Sequence, residues 1–218
     1  MDRTITVRGT GKVSLPPDQV EITLTLTAEN KNYDKAMAAA TKQLEDLRAA
    51  LAAVGFGKDD LKTANFDVST RYDYRHDSLG NGKRVFLGYA CIQGLRLTYP
   101  FDTVRLGATL SAISSCTADP ELNVRFTVAD PSAVSDALLR SAAESARSKA
   151  EVLAAASGVR LGDLVKVWYS WGDRDFASPT AFAMGNGLMK AERAKVSMDF
   201  APENIDLTDQ ATFTWEIL

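Results

Sequence analysis

The stretch LLRSAAESARSKAEVLAAASG, Leu138 to Gly158, predicts a helix whose inward positions are mostly alanine. The stripe Val134, Leu138, Ala142, Ala146, Ala150, Leu153 keeps three- and four-residue steps and so lies on one face. Side chains this small cannot fill a roomy core. They let another backbone or a flat sheet come very close, and the helix requires a partner of that kind. Asp130-Pro131 in front and Gly158 behind frame it, since proline suits the first turn and glycine the position just past the last. The helix is built for packing and carries nothing reactive.

Alternation dominates the rest of the chain. Thr4 to Arg8 predicts a short strand that ends at Gly9-Thr10-Gly11, read as a turn needing positive φ. After Pro16-Pro17-Asp18, Val20, Ile22, Leu24 and Leu26 face one way while Glu21, Thr23, Thr25 and Thr27 face the other, the pattern of a strand with one buried face. Asn32 to Val54 predicts a long helix with Tyr33, Met37, Ala40, Leu44, Leu47, Leu51 and Val54 in its stripe and Gly55 as its stop. A coiled-coil partner or a sheet would satisfy that stripe, and the sheet is preferred. Leu61 to Tyr72, with Ala64, Phe66, Val68, Thr70 and Tyr72 on one side, and Val85 to Tyr99 predict a hairpin. Its extended tip centres on Gly80-Asn81-Gly82, and the apolar phase slips near Ile92 to Gly94, which predicts a bulge.

A shorter helix capped by Asp102 follows, carrying Val104, Leu106, Leu110 and Ile113. Strands are predicted at Leu122 to Val128, Leu164 to Trp171, Val196 to Phe200 and Ala211 to Ile217. About eight strands against three helices, two of them long, leave too few helices for a crossover after every strand. The predicted class is therefore α+β with mainly antiparallel sheet. No low-complexity linker divides the 218 residues. A single domain is expected, or two intimately packed subdomains at about 1–99 and 100–218.

Chemistry is harder to find. Hydrophobic residues make up 45% and charged residues 24%, and 25 basic against 28 acidic side chains give a net charge of −3. With no basic stripe, nucleic acid is not an expected partner. Arg71-Tyr72-Asp73-Tyr74-Arg75 interleaves aromatic and basic residues, but Asp67, Asp73 and Asp77 offset the charge. Cys91 and Cys116 lack a CxxC neighbour and read as free buried thiols, a disulfide between them being the alternative. His76 is the only histidine, which removes any multi-histidine metal site. Gly9-Thr10-Gly11 lacks the third glycine of a dinucleotide fingerprint, because Ser14 stands there and Pro16-Pro17 block the helix. The GxSxG pattern is missing. Asp73 with Asp77 and Asp173 with Asp175 read as solvated loop carboxylates. No catalytic, cofactor-binding or metal-binding residue is assigned, and no cofactor is expected. MDRTITVRGTG holds no signal-length apolar stretch, and no segment approaches the ~20 apolar residues of a membrane span. The chain as written is expected in the cytoplasm, or in the periplasm or cell envelope if a leader was removed.

Gly172 to Lys190 breaks every periodicity while carrying Phe176, Phe182, Met184, Leu188 and Met189. Either this segment folds back on the body or it is buried against another subunit. The second option is preferred, so these five are the candidate interface and a homo-oligomer is the expected state. Two other readings compete: a shallow enzyme site at Asp73, Tyr74 and Asp77, and a groove for a small apolar or peptide ligand at Trp168, Trp171 and Phe176.

The chain resembles the SIMPL-domain family, a domain of unknown function, from Ile5 to Ile217. The resemblance rests on ITVRGTGKVSLPPDQVEITL, LKTANFDVSTRYDY, LGYACIQGLRLTY, KAEVLAAASGVRLGDLVKV and PENIDLTDQATFTWEI, in that order. It implies an α+β protein with no established catalytic residues, and assembly of the kind seen in members that form ring- or channel-like homo-oligomers. It also implies a link to bacterial oxidative-stress defence, to an immunogenic envelope antigen, and, in animal members, to a receptor-associated kinase.

Overall fold

The computed structural model describes residues 3–76, 82–170, 172, 174–184 and 200–218. In chain order these form β1 (Thr4–Leu15), β2 (Gln19–Asn30), α1 (Tyr33–Ala52), β3 (Leu61–His76), β4 (Gly82–Pro100), α2 (Thr103–Ser115), β5 (Glu121–Thr127), α3 (Pro131–Ala156), β6 (Leu161–Tyr169), β7 (Ala177–Met184) and β8 (Ile205–Ile217). Two antiparallel sheets result, one ordered β1-β8-β6 and the other β3-β4-β2-β5-β7, and the class is α+β as predicted. Two compact units interleave along the chain, one holding 1–18, 127–179 and 202–218 and the other 19–126 and 180–201. The expected division near residue 99 falls inside the second unit.

In the first unit α3 lies against β1 and β8 at backbone distance. Ala142, Ala146 and Ala150 are fully buried beside Val7, Ala211, Phe213 and Trp215. The other half of the fit comes from Gly9 and Gly11. A Cβ on Gly9 would sit 1.9 Å from the Ala142 carbonyl oxygen, and one on Gly11 would sit 2.1 Å from that of Leu138. The predicted turn at Gly9-Thr10-Gly11 is therefore corrected: both glycines continue β1, with no positive φ, and they are glycine because a helix backbone occupies the space. The free edge of β1 is closed by the same helix. Ser145 Oγ accepts from the Thr10 N–H at 3.3 Å, Ser141 Oγ from the Lys12 N–H at 3.2 Å, and Lys149 Nζ donates to the Arg8 carbonyl at 3.2 Å. Asp130 caps the helix by accepting from the Ser132 and Ala133 amides at 3.0 Å each, and Gly158 ends it at φ 70°. The stripe closes on Ala154, not on Leu153, which is half-exposed. Unbroken steps of four advance about 40° per step, so the buried line crosses the sheet obliquely.

The second unit packs α1 and α2 on its five-stranded sheet. Val20, Ile22, Leu24 and Leu26 of β2 and Leu95, Leu97 and Tyr99 of β4 meet Leu47 and Leu51 of α1 and Leu106 and Ile113 of α2. Each fully buried leucine or isoleucine there contributes about 1.5–3 kcal/mol of transfer free energy. The sheet beneath α1 thus explains its stripe, with Asn32 capping the start (Lys35 N–H to Oδ1, 3.1 Å) and Gly55 at φ 89° after the end. Asp102 caps α2 through the Arg105 N–H at 2.7 Å, while Val104, expected inward, is exposed.

The predicted phase slip is real, but its extra residue belongs to the other strand. Thr63 pairs with Leu95 and Asn65 with Gly94, leaving Ala64 unpaired on β3. A second irregularity between Arg71 and Tyr72 leaves Leu87 unpaired on β4, beside Gly88 at φ 147°. Part of the segment read as irregular is ordered: residues 177–184 form β7. Of the strand predicted at Val196 to Phe200, only Phe200 lies among the described residues, packing against the rings of Phe126 and Phe182 at centroid distances of 6.1 and 6.0 Å.

Candidate functional site

Of the residues singled out from the sequence, those that the structure describes lie on several elements, each placed within its own unit. Phe182 and Met184 are half-buried against the core of the second unit, and Phe176 against Val128, Val134 and Ile205 of the first. Leu188 and Met189 lie outside the described residues, as do Trp171, Asp77 and Asp173. Asp73 and Tyr74 are successive residues of β3 and so point to opposite faces, with Tyr74 exposed. The two thiols are free. Cys91 is buried, its Sγ 3.7 Å from Met37 Sδ, and Cys116 is half-buried. Burial pushes both thiols above their ordinary pKa, so neither is a ready nucleophile at neutral pH. Among the described residues no cluster of three or more histidine, cysteine, aspartate or glutamate side chains has the geometry to hold a metal ion.

Among the described residues, the tightest group of ionisable side chains is one that sequence reading missed. Tyr169 Oη donates to Asp209 Oδ2 at 2.7 Å, Arg174 donates to Tyr169 Oη at 2.7 Å, and Arg174 pairs with the same Asp209 oxygen at 2.5 Å. Desolvation works to raise the Asp209 pKa, but the bonds from Tyr169, Arg174 and the Gln210 amide outweigh it and hold the carboxyl below its ordinary value. Desolvation and the Asp209 bond push Tyr169 up, and the Asp209 bond pushes Arg174 up. The trio fastens the chain after β6 to β8. Forty residues separate Tyr169 from Asp209, and no spacing rule links them.

What the described surface does offer is exposed apolar strand. On β6, an edge of its sheet, Leu164, Val165, Val167 and Trp168 are about half-exposed or more, Trp168 reaching 62%. β3, an edge of the other sheet, exposes Phe66, Tyr72 and Tyr74. Beyond Tyr89, the last residue of β4 opposite β2, β3 and β4 continue as a two-stranded arm. A chain of edge-to-face rings stiffens its base: Tyr33 on Tyr89 at 5.5 Å, Tyr89 on Phe86 at 5.4 Å and Phe86 on Tyr72 at 5.5 Å. Arg84 lies 3.7 Å over the Tyr72 ring. Two depressions mark the second unit. One, of about 270 Å³, lies over Thr23, Thr25, Asn123 and Met184; the other, of about 220 Å³, lies beside Glu29, Arg71 and Tyr89. In the latter the ionisable pair Glu29–Arg71 is closed on itself at 2.9 Å.

Fold and surface together define an α+β protein of two antiparallel sheets, each with an apolar edge strand in contact with solvent. The chain belongs to the SIMPL family, described as a protein of unknown function (DUF541), whose model matches residues 5–215. It is similar to the 26 kDa periplasmic immunogenic protein of Brucella abortus, 25% identical over 163 residues that cover 75% of this chain and 65% of that one. The Brucella melitensis protein of the same name is 24% identical over the same shares. An uncharacterized protein YggE of Edwardsiella ictaluri is 28% identical over 76% of this chain and 67% of its own. The chain spans a little under two thirds of the length of the Brucella relatives.

Proposed function

We propose that this protein is a non-enzymatic interaction module that assembles with copies of itself into a homo-oligomeric scaffold in the periplasm or cell envelope. The observation that carries the reading is β6, an edge strand that leaves four large apolar side chains against water. Leu164 and Val167, opposite Trp215 and Phe213, lie on one face and Trp168, opposite Thr212, on the other, so a strand added at this edge touches both groups. Burying the exposed half of each contributes roughly 1 kcal/mol, so two copies gain roughly 8 kcal/mol where association costs roughly 4–15 kcal/mol. One such contact is marginal, and a stable assembly engages a second surface. Phe176, Phe182 and Met184 pack on their own chain, so their role in the interface is limited to the part each leaves exposed.

The location follows the relatives named as periplasmic, and it displaces the cytoplasmic expectation. The link to oxidative-stress defence rests on the family resemblance. The test is mass in solution. Light scattering is expected to give an oligomer for the intact chain, and a smaller species for Val165→Lys/Trp168→Lys with an unchanged circular dichroism spectrum. A monomer for the intact chain at tens of micromolar would refute the reading.

A further inference from the structure

We infer that two copies of this chain pair antiparallel along β3 about a two-fold axis through Ser69, joining their five-stranded sheets edge to edge. The inference rests on the self-assembly reading and names the second contact that it calls for, at the edge of the other sheet. An edge strand presents unpaired N–H and C=O groups that template another strand, and folded proteins blunt such edges with prolines, bulges or covering helices. Among the described residues, three of the four sheet edges are blunted. The β1 edge is covered by α3, β7 carries Pro179, and β6 pairs with β8 through two register shifts between Leu161 and Lys166. β3 is different. It is sixteen residues long, and from Asn65 to Asp73 it runs without interruption, because the irregularity at Arg71/Tyr72 places its extra residue on β4.

A two-fold axis normal to the sheet sets opposite one another residues equidistant from the axis, and these share a face. About Ser69, Phe66 meets Tyr72 and Val68 meets Thr70 on the side where Val68 packs with Ala36 and Ala40 of α1. Phe66 and Tyr72 are 47% and 42% exposed, and each gains a ring directly across the new strand pair. On the other face Asp67 meets Arg71. Asp67 has no ion-pair partner among the described residues, and Arg71 is already oriented by Glu29 at 2.9 Å, so the second copy's Asp67 completes a three-membered network. Charge disfavours the neighbouring registers, by repulsion or by loss of the ion pair. An axis at Thr70 sets Asp67 against Asp73, one at Arg71 sets that residue against itself, and one at Val68 sets Asp67 against Ser69.

Ser69→Cys tests the axis directly, because cross-linking by oxidation or a short bis-maleimide joins residue 69 to residue 69. Peptide mass mapping separates that link from any at Cys91 or Cys116. Asp67→Arg is expected to raise the concentration at which the assembly half-dissociates by about tenfold, since it turns two attractive pairs into repulsive ones. Adding Arg71→Asp swaps the charges and is expected to restore assembly. An oligomer that forms no 69–69 link and ignores Asp67→Arg overturns the β3 pairing while leaving self-assembly standing. A monomer in every case overturns both.

Discussion

Replacing Gly9 with alanine adds one methyl group at the point where β1 and α3 touch. Built on the backbone as it stands, that carbon would lie 1.9 Å from the Ala142 carbonyl oxygen and 2.7 Å from Ala146 Cβ. Even a close carbon–oxygen contact is about 3.3 Å, so the helix must retreat by more than about 1 Å. Retreat stretches the three bonds that Ser141, Ser145 and Lys149 make to β1, each contributing about 1 kcal/mol. It also opens a gap along Ala142, Ala146 and Ala150, which forfeits a quarter to a half of each contact's dispersion energy. The strand itself regains about 0.5–1 kcal/mol, because alanine loses less backbone freedom than glycine on folding. The net is a destabilisation of about 2–4 kcal/mol. At roughly 2–4 °C per kcal/mol for a chain of this size, the thermal midpoint by circular dichroism falls by roughly 5–15 °C. An unchanged or raised midpoint would mean that the two backbones are not in contact.

Gly107→Ala should act with the opposite sign: nothing lies within 4 Å of its Cβ position in α2, so alanine raises stability by about 0.5–1 kcal/mol, read as a higher midpoint in denaturant. Asp209→Asn is expected to cost about 1–3 kcal/mol at neutral pH. Its folded-state pKa is depressed, so the stability it contributes is present above the unfolded value of about 4 and is lost as pH falls through the folded value. Urea titrations of both proteins should therefore show a gap that closes on acidification, and a gap independent of pH would contradict the latch. Deleting residues 174–188 removes Arg174 and β7, and with them Phe182 and Met184 from the core. Loss of the cooperative unfolding transition is expected, and a fully folded deletion variant would show the segment to be peripheral.

The elements that bury one face in regular steps were legible. β2, α1, β5 and α3 each bury one apolar face, and the caps at Asp102 and Asp130 use local hydrogen bonds that a short window contains. Gly9 and Gly11 were misread because the space they vacate belongs to residues more than 120 positions away. β3 misled in another way. Its alternation Phe66, Val68, Thr70, Tyr72 has the period of a buried face, yet β3 is an edge strand that outruns β2 and leaves the two rings wet. Periodicity reports that a face is apolar but not what covers it. The same limit left open what covers the strand predicted from Leu164, and it hid the Tyr169–Arg174–Asp209 latch, which only the pairing of β6 with β8 assembles.

Sedimentation velocity on the intact protein, across a dilution series from tens of micromolar downward, tests the central claim most directly. Contact along the open strand edges predicts a species of two or more chains that dissociates on dilution and at lower concentration still gives a folded single chain. A single chain at every concentration, with its secondary structure intact, would contradict it.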